Sequence, residues 1–304
     1  MTSSAVRSVA LASFFLIAAA AVMLLAACSP VTLLNALAPR DTHREQRDIA
    51  YGPLPRQKLD LYVPVTAAPP RGWPVVVFFY GGSWNSGERA DYRFVGEALA
   101  ARGVLTMVAD YRLYPEVRYP DFLKDCAAAL AYGLEHAAAL GGDASRVYVM
   151  GHSAGGYNAA MLALDARWLA ATGHRPRELA GWIGLAGAYE FLPLDPGPAR
   201  PVFFHPDYPS GTQPIDYVAR DSRPAFVGAP VDDKVVSPQR STLAMAARLQ
   251  AAGVPVTLRM YEGVSHASLI GSFARPLRGW STALDDVVAY IAASAETAPR
   301  NANN

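Results

Sequence analysis

Apolar runs of strand length alternate with longer helical patterns along most of this 304-residue chain. The run at 75–79 is apolar at every position, which is typical of a strand buried on both faces of a parallel sheet. The predicted strands cover 57–63, 74–80, 104–109, 146–150, 179–186, 225–227 and 256–261, with helices at 91–101, 121–139, 156–164, 241–252 and 282–293. This alternation predicts one doubly wound α/β domain, with a mostly parallel sheet and helices on both faces.

The bulk composition limits which partners are expected. With 52% hydrophobic and 17% charged residues, the chain has ample apolar material for one large globular domain or two small ones. The 27 basic and 26 acidic residues give a formal net charge of +1, and no basic run stands out, so nucleic-acid binding has no support. No histidine–acid cluster has convincing metal-ligand spacing, and we expect neither a metal nor an organic cofactor.

The N-terminus is predicted to direct export. Arg7 precedes an almost wholly apolar stretch at 9–27, and Leu25-Ala26-Ala27-Cys28 resembles the lipobox of bacterial lipoproteins. We therefore predict a signal peptide over 1–27, lipidation of Cys28, and a membrane-anchored protein in the bacterial cell envelope, facing the periplasm or the cell exterior. An uncleaved anchor stays open, because about 19 apolar residues could nearly span a bilayer, and so does plain secretion.

The same interpretation sets the remaining boundaries. Residues 28–47 are polar and irregular, which predicts a tether between the lipid and the domain. The folded domain is predicted over 48–296 and a disordered tail over 297–304. Lipidation of Cys28 would leave Cys126 alone, and its place in a helical pattern indicates a small buried hydrophobe.

The pentapeptide Gly151-His152-Ser153-Ala154-Gly155 has the form G-x-S-x-G. It lies between a predicted strand and a predicted helix, where a sharp turn lifts the serine hydroxyl clear of the sheet. A Cβ at the flanking glycines would collide with the tight backbone. The pattern indicates a catalytic nucleophile at Ser153 rather than an ordinary glycine-rich turn.

A serine nucleophile needs a base, and the base needs a group that orients it. His266 follows the strand at 256–261, so it lies at the sheet edge where ligands bind in α/β folds. The other histidines are expected to be solvated or structural. Asp232 and Asp233 follow the strand at 225–227, and only one of them can orient the imidazole. The segment from Asp233 to Pro238 fits the D-x-x-V-x-P loop common in α/β-hydrolases, which favours Asp233.

Two further segments carry a family resemblance. Tyr80-Gly81-Gly82-Ser83-Trp84 matches an H-G-G-x-W loop, and the segment 111–115 matches Y-R-L-x-P. With these motifs the chain resembles carboxylesterases of the α/β-hydrolase superfamily, similar to the hormone-sensitive-lipase-like and kynurenine-formamidase-like esterases. The resemblance implies an α/β-hydrolase fold, a small-molecule ester substrate and an oxyanion hole formed by Gly82, Ser83 and Ala154. Tyr80 departs from the usual histidine, which puts the loop geometry and the substrate range in question.

Several questions stay open in the sequence. An amide hydrolase of the same fold, a formamidase or a small peptidase, would use the same triad. A non-catalytic envelope lipoprotein is a third hypothesis. The proline- and aromatic-rich segment 187–223 is either a lid or acyl-pocket wall, or a stiff surface excursion. Trp84, beside the glycine pair, lines a pocket or fills the core.

Overall fold

The computed structural model describes residues 30–293 of the chain. The predicted signal peptide at 1–27, the predicted lipidation site Cys28 and the predicted tail at 297–304 lie outside the described residues. Within residues 30–293, no helix combines the length and the apolar character needed to cross a bilayer.

Eight strands and eight α-helices make up the described chain. The strands are β1 (His43–Ala50), β2 (Lys58–Pro64), β3 (Trp73–Phe79), β4 (Leu105–Ala109), β5 (Gly142–His152), β6 (Gly181–Leu185), β7 (Ala225–Pro230) and β8 (Val256–Tyr261). The helices are α1 (Pro30–Ala36), α2 (Arg93–Ala100), α3 (Asp121–His136), α4 (Ala154–Leu164), α5 (Ala166–Ala170), α6 (Ala244–Ala251), α7 (His266–Gly271) and α8 (Ala283–Ala293).

All eight strands belong to one sheet, in the order β1-β2-β4-β3-β5-β6-β7-β8. The strands β1 and β2 run antiparallel to their neighbours, whereas the six from β4 to β8 pair in parallel. The predicted, mostly parallel sheet is therefore confirmed. Because the parallel strands share one direction, the loops after β3, β5, β7 and β8 all emerge at the same edge.

Helices cover both faces of this sheet, as the side chains of β3 illustrate. Val77 points toward α3, where a Cβ added to Gly133 would clash with its side chain. Phe78 points the opposite way, and its ring lies 5.8 Å from that of Tyr92 in the short 3₁₀ turn before α2. Both β3 side chains are fully buried, as continuous apolar strands in parallel sheets require. Cys126 is also fully buried, in α3, which confirms the prediction of a structural role.

The predicted irregular tether at 28–47 is wrong where the structure describes it. Residues 30–36 form helix α1, and β1 begins at His43 and pairs antiparallel with β2. The sequence of β1, HREQRDIA, is polar because this strand lies at the sheet edge and most of its side chains are exposed or half-buried. Charged edge strands avoid uncontrolled pairing with other chains, but they lack the apolar signal that reveals central strands.

Candidate active site

The parallel sheet brings four segments to one edge. Ser153 follows β5 directly, Asp233 lies three residues beyond β7, and His266 opens α7 five residues beyond β8. The glycine pair Gly81-Gly82 follows β3, the strand that pairs with β5. These segments are far apart in the sequence, and the topology alone places them along one rim.

Ser153 lies at a strained turn between β5 and α4. Its φ of 56° and ψ of −122° are costly for a residue with a Cβ. The strain is imposed from both sides, because its N–H donates to the Leu185 carbonyl (2.9 Å) while its own carbonyl accepts from the Tyr157 N–H (3.1 Å). A Cβ at Gly151 would overlap the Gly155 carbonyl, and one at Gly155 would overlap the Phe79 carbonyl. Both glycines are therefore required by the close backbone approach, as predicted from the pentapeptide.

Asp233 and His266 form a direct pair. The Nδ1 atom of His266 lies 2.7 Å from Oδ2 of Asp233. The other carboxylate oxygen accepts from the backbone N–H groups of Val235 (2.8 Å) and Val236 (3.1 Å). Burial by itself would raise the pKa of Asp233, but the hydrogen bond and charge of His266 and the two backbone N–H groups lower it below its usual range. The carboxylate of Asp233 is therefore ionised at neutral pH, and because an ionised carboxylate only accepts, Nδ1 of His266 carries the hydrogen of this bond.

The geometry separates the two adjacent aspartates. Asp233 is buried, whereas the side chain of Asp232 is 87% exposed and lies 4.0 Å from the Lys234 ammonium. Only Asp233 reaches the His266 ring among these two. Ser153 and His266 line the same cavity, but no direct hydrogen bond between them is present within residues 30–293. Catalytic hydrogen bonds are often loose without substrate and shorten only in the reacting complex.

His152, the variable residue of the pentapeptide, holds the backbone of His266. Its Nε2 lies 3.0 Å from the His266 carbonyl oxygen, and since a carbonyl only accepts, this nitrogen carries the hydrogen. A reciprocal pair of hydrogen bonds between Ser265 and Ser268 caps α7 and fixes the same turn. Neither contact was predicted from the sequence, although the Ser-x-x-Ser spacing at 265–268 has the form of a helix-capping signal.

The buried position of His152 predicts a specific dependence of stability on pH. Burial, followed by the nearby His266 ring, lowers the pKa of His152 to about 3. The unfolded chain takes up a proton near pH 6.5 that the folded chain refuses, so stability falls as the pH drops from 6.5 toward 3. We expect His152→Gln, which keeps a hydrogen-bond donor but does not titrate, to remove about 2 kcal/mol of the stability difference between pH 7.5 and pH 5.

Urea unfolding of both proteins at the two pH values measures this difference. An equal loss of stability in wild type and His152→Gln would contradict the assignment of a neutral, buried imidazole to the folded state.

The loop after β3 has an unusual backbone conformation. Gly82, Ser83 and Trp84 all have positive φ, at 122°, 51° and 59°. Among the described residues, no acceptor takes the backbone N–H of Gly82 or Ser83, or that of Ala154 at the start of α4. Unpaired N–H groups beside a nucleophile are what an oxyanion needs.

The side chain of Tyr80 holds this loop in place. It is fully buried, and its hydroxyl donates to Oδ1 of Asp110 (2.8 Å) and accepts from the guanidinium of Arg56 (2.8 Å). Its ring stacks on Tyr111, whose hydroxyl donates to the Tyr80 carbonyl (2.8 Å). Burial raises the pKa of Tyr80 far above its usual value, so the phenol stays neutral. The departure from the usual histidine therefore keeps a buttressing side chain at this position.

A cavity of about 260 Å³ lies on one side of Ser153. The segment 187–223 forms much of its wall, so the alternative of a pocket wall describes this segment better than a surface excursion. Trp84 also lines it, with its indole N–H donating to Oδ1 of Asn158 (2.9 Å). The wall is mostly apolar and consists of Ser83, Trp84, Ser153, Ala154, Ala188, Glu190, Phe191, Leu194, Asp195, Pro196, Gly197, Pro198, Ala199, Val235, Val236, Ser237, Arg240 and Ser241.

A second cavity, of about 240 Å³, is also lined by Ser153 and includes His266. Ser83, Ser153 and Val235 line both cavities. Ser153 therefore lies where the two cavities meet, an arrangement that fits a substrate with two parts joined at one bond. Within residues 30–293, no group of three or more histidine, cysteine or acidic side chains is arranged to hold a metal ion.

The chain is similar in sequence to one family model and to esterases from plants and bacteria. The BD-FAE family model matches residues 59–173. A probable isoprenylcysteine alpha-carbonyl methylesterase from Arabidopsis thaliana is 28% identical over 270 residues, which cover 81% of this chain and 56% of the relative. A carboxylesterase from Mycobacterium tuberculosis is 39% identical over 125 residues, which cover 40% of this chain and 38% of the relative. The chain thus spans little more than half the length of the plant protein.

The structure of esterase B from Lactobacillus rhamnosis superposes with a TM-score of 0.73 at 20% identity, covering 96% of this chain and 97% of that chain. At this identity the likeness concerns the fold. Together with the eight-stranded, mostly parallel sheet, it shows that the chain has the α/β-hydrolase fold predicted from its motifs.

Proposed function

We propose that this protein is a serine carboxylesterase that cleaves carboxylic esters through an acyl-enzyme formed on Ser153. The observation that carries the proposal is the hydrogen bond between the buried Asp233 carboxylate and His266, at the sheet edge where Ser153 occupies a strained turn. The printed names of the relatives, a methylesterase and a carboxylesterase, support the same reaction class.

The geometry supports an ordinary acyl-transfer sequence. His266 Nε2 takes the proton from the Ser153 hydroxyl as its oxygen bonds to the ester carbonyl carbon. The N–H groups of Gly82, Ser83 and Ala154 stabilise the oxyanion, and each such donor is typically worth about 100- to 1,000-fold in kcat. His266 then returns the proton to the departing alcohol oxygen while Asp233 stabilises the imidazolium. Water repeats the sequence on the acyl-enzyme and releases the acid.

The volume of one of the two cavities favours substrates with a small acyl group. Loss of the leaving alcohol requires a proton from His266, so the alcohol belongs to the cavity that His266 lines and the acyl group to the other. That acyl cavity, at about 260 Å³, lies below the range of about 300–1,000 Å³ typical of sites for drug-sized ligands. We therefore propose esters of short acyl groups as substrates.

A substrate panel tests the reaction class. Purified protein is assayed on p-nitrophenyl esters from acetate to laurate, on N-formylkynurenine and on a dipeptide amide. We expect kcat/KM to be highest for the short esters and to fall with chain length. Amide turnover well above ester turnover would instead indicate a formamidase or peptidase, and no turnover combined with no labelling by a fluorophosphonate would indicate a binding lipoprotein.

We also propose that the protein is anchored to a membrane of the bacterial envelope through lipidated Cys28. The apolar stretch 9–27 and the Leu-Ala-Ala-Cys sequence that ends at Cys28 support this placement. Fractionation of cells that produce wild type or Cys28→Ser tests it. Equal recovery of the two proteins from the membrane fraction would contradict a lipid anchor at this cysteine.

A further inference from the structure

Helix α1 forms part of the wall of the cavity that contains His266. Val31 and Leu34 of α1 line this cavity, and neither lines the acyl cavity. The other side chains around them are mainly apolar and include Phe94 and Ile270. The cavity therefore offers an apolar surface to whatever lies beside His266, and residues near the N-terminus supply part of it.

The helix is fixed in this place by specific contacts. The side-chain amide of Asn35 donates to the Ala90 carbonyl (2.8 Å), and its oxygen accepts from the Phe94 N–H (3.1 Å). The Arg93 guanidinium also donates to the Asn35 carbonyl (3.2 Å). Both groups of the amide are satisfied by backbone groups of one turn, so the position of α1 relative to the cavity is well defined.

The two sides of α1 differ in what they contact. Val31, Leu34 and Asn35 are half-buried, and Ala38 just beyond the helix is buried, which is the spacing of one helical face. Leu33 lies on the other side and is 41% exposed. Leu33 and Leu34 thus have the same size and chemistry on the same turn of helix, but only Leu34 lines the cavity.

We propose that α1, through Leu34 and Val31, selects the alcohol part of the ester, and that it favours alcohols with an apolar alkyl or aryl body. The inference rests on the proposed ester hydrolysis at Ser153, since the proton that His266 delivers to the leaving oxygen is what assigns this cavity to the alcohol. A methylene group in an apolar pocket changes kcat/KM by about 10- to 200-fold, so a change of a whole side chain at Leu34 is large enough to measure.

The test uses the full chain in detergent, with acetate as the constant acyl group. Wild type, Leu34→Ala, Leu34→Trp and the matched control Leu33→Ala are each assayed on methyl acetate and naphthyl acetate. We expect Leu34→Trp to lower the ratio of kcat/KM for the naphthyl ester to that for the methyl ester at least about 10-fold. Leu34→Ala is expected to shift the ratio of the two rates in the opposite direction, and Leu33→Ala to leave it as in wild type.

A second substrate series tests the alcohol preference separately from the proposed ester hydrolysis at Ser153. With p-nitrophenol as the constant alcohol, the preference among acyl chain lengths is expected to be the same in all four proteins. If wild type cleaves esters but the Leu34 variants keep its ratio of naphthyl to methyl ester rates, the inference is wrong and the proposed function stands. If wild type cleaves no ester, the proposed function itself fails. Thermal unfolding of each variant identifies loss of fold.

Asn35→Ala removes the side-chain hydrogen bonds that hold α1 to Ala90 and Phe94 and leaves the cavity wall residues unchanged. We expect this variant to discriminate less between the naphthyl and methyl esters than wild type does.

Discussion

Ser153→Ala is expected to lower kcat for ester hydrolysis by about 10,000- to 1,000,000-fold, with the fold intact. The substitution removes the only atom that forms the acyl bond in the proposed mechanism. The oxyanion donors and the binding cavities remain, so a small residual rate over the uncatalysed reaction is expected. Alanine also relieves none of the backbone strain, because the positive φ of 56° is imposed by the flanking hydrogen bonds.

The measurement is the initial rate on p-nitrophenyl acetate with thermal unfolding as a check of folding. Ser222→Ala is the matched serine control, because Ser222 lines neither cavity and its hydroxyl accepts from the Ala219 N–H (3.0 Å), and this variant is expected to keep a rate close to that of wild type. Activity of Ser153→Ala close to that of the control would contradict the assignment of the nucleophile.

Asp233→Asn is expected to lower kcat by about 10,000-fold. The substitution turns one carboxylate oxygen into an NH₂ group, which donates hydrogen bonds and cannot accept one from His266 Nδ1. A donor opposite Nδ1 favours the tautomer with the hydrogen on Nε2, and that nitrogen then cannot take the proton of Ser153. The effect is therefore on chemistry, and kcat is expected to fall much more than KM rises.

Asp232→Asn is the matched control, one residue away and of the same chemistry. Its side chain is exposed and paired only weakly with Lys234, so we expect a rate within about twofold of wild type and no loss of stability. The opposite order, with Asp232→Asn the damaging change, would show that the carboxylate beside His266 is not the one that orients it.

The sequence was sufficient for the parts of the fold that depend on burial. The strand predicted at 104–109 covers β4, and the fully apolar run at 75–79 lies within β3, because strands buried in a parallel sheet carry a strong local signal. The edge strand β1 was missed for the opposite reason. Its eight residues are mostly polar, since the strand lies at the sheet edge and most of its side chains are exposed or half-buried.

The candidate site was likewise predictable only in part from the sequence. Ser153 and His266 were predicted from local motifs and from their places after strands, which are properties of short segments. The D-x-x-V-x-P spacing favoured Asp233 over Asp232, but the contact itself depends on where the two adjacent side chains point, and only Asp233 lies against the imidazole. The contact of His152 with the His266 carbonyl joins residues 114 positions apart, and the contribution of Leu34 to a cavity that includes His266 is still longer in range. Packing between distant segments determines both, and no local pattern encodes it.

Covalent labelling of the intact, folded chain tests the central claim most directly. The full-length protein in detergent is treated with a fluorophosphonate, digested, and mapped by mass spectrometry beside His266→Ala. We predict one adduct per chain, on the Ser153 hydroxyl, with labelling much slower in His266→Ala because the base is missing. An adduct on a different residue, or rapid ester turnover by a protein whose Ser153 remains unlabelled, would contradict the account.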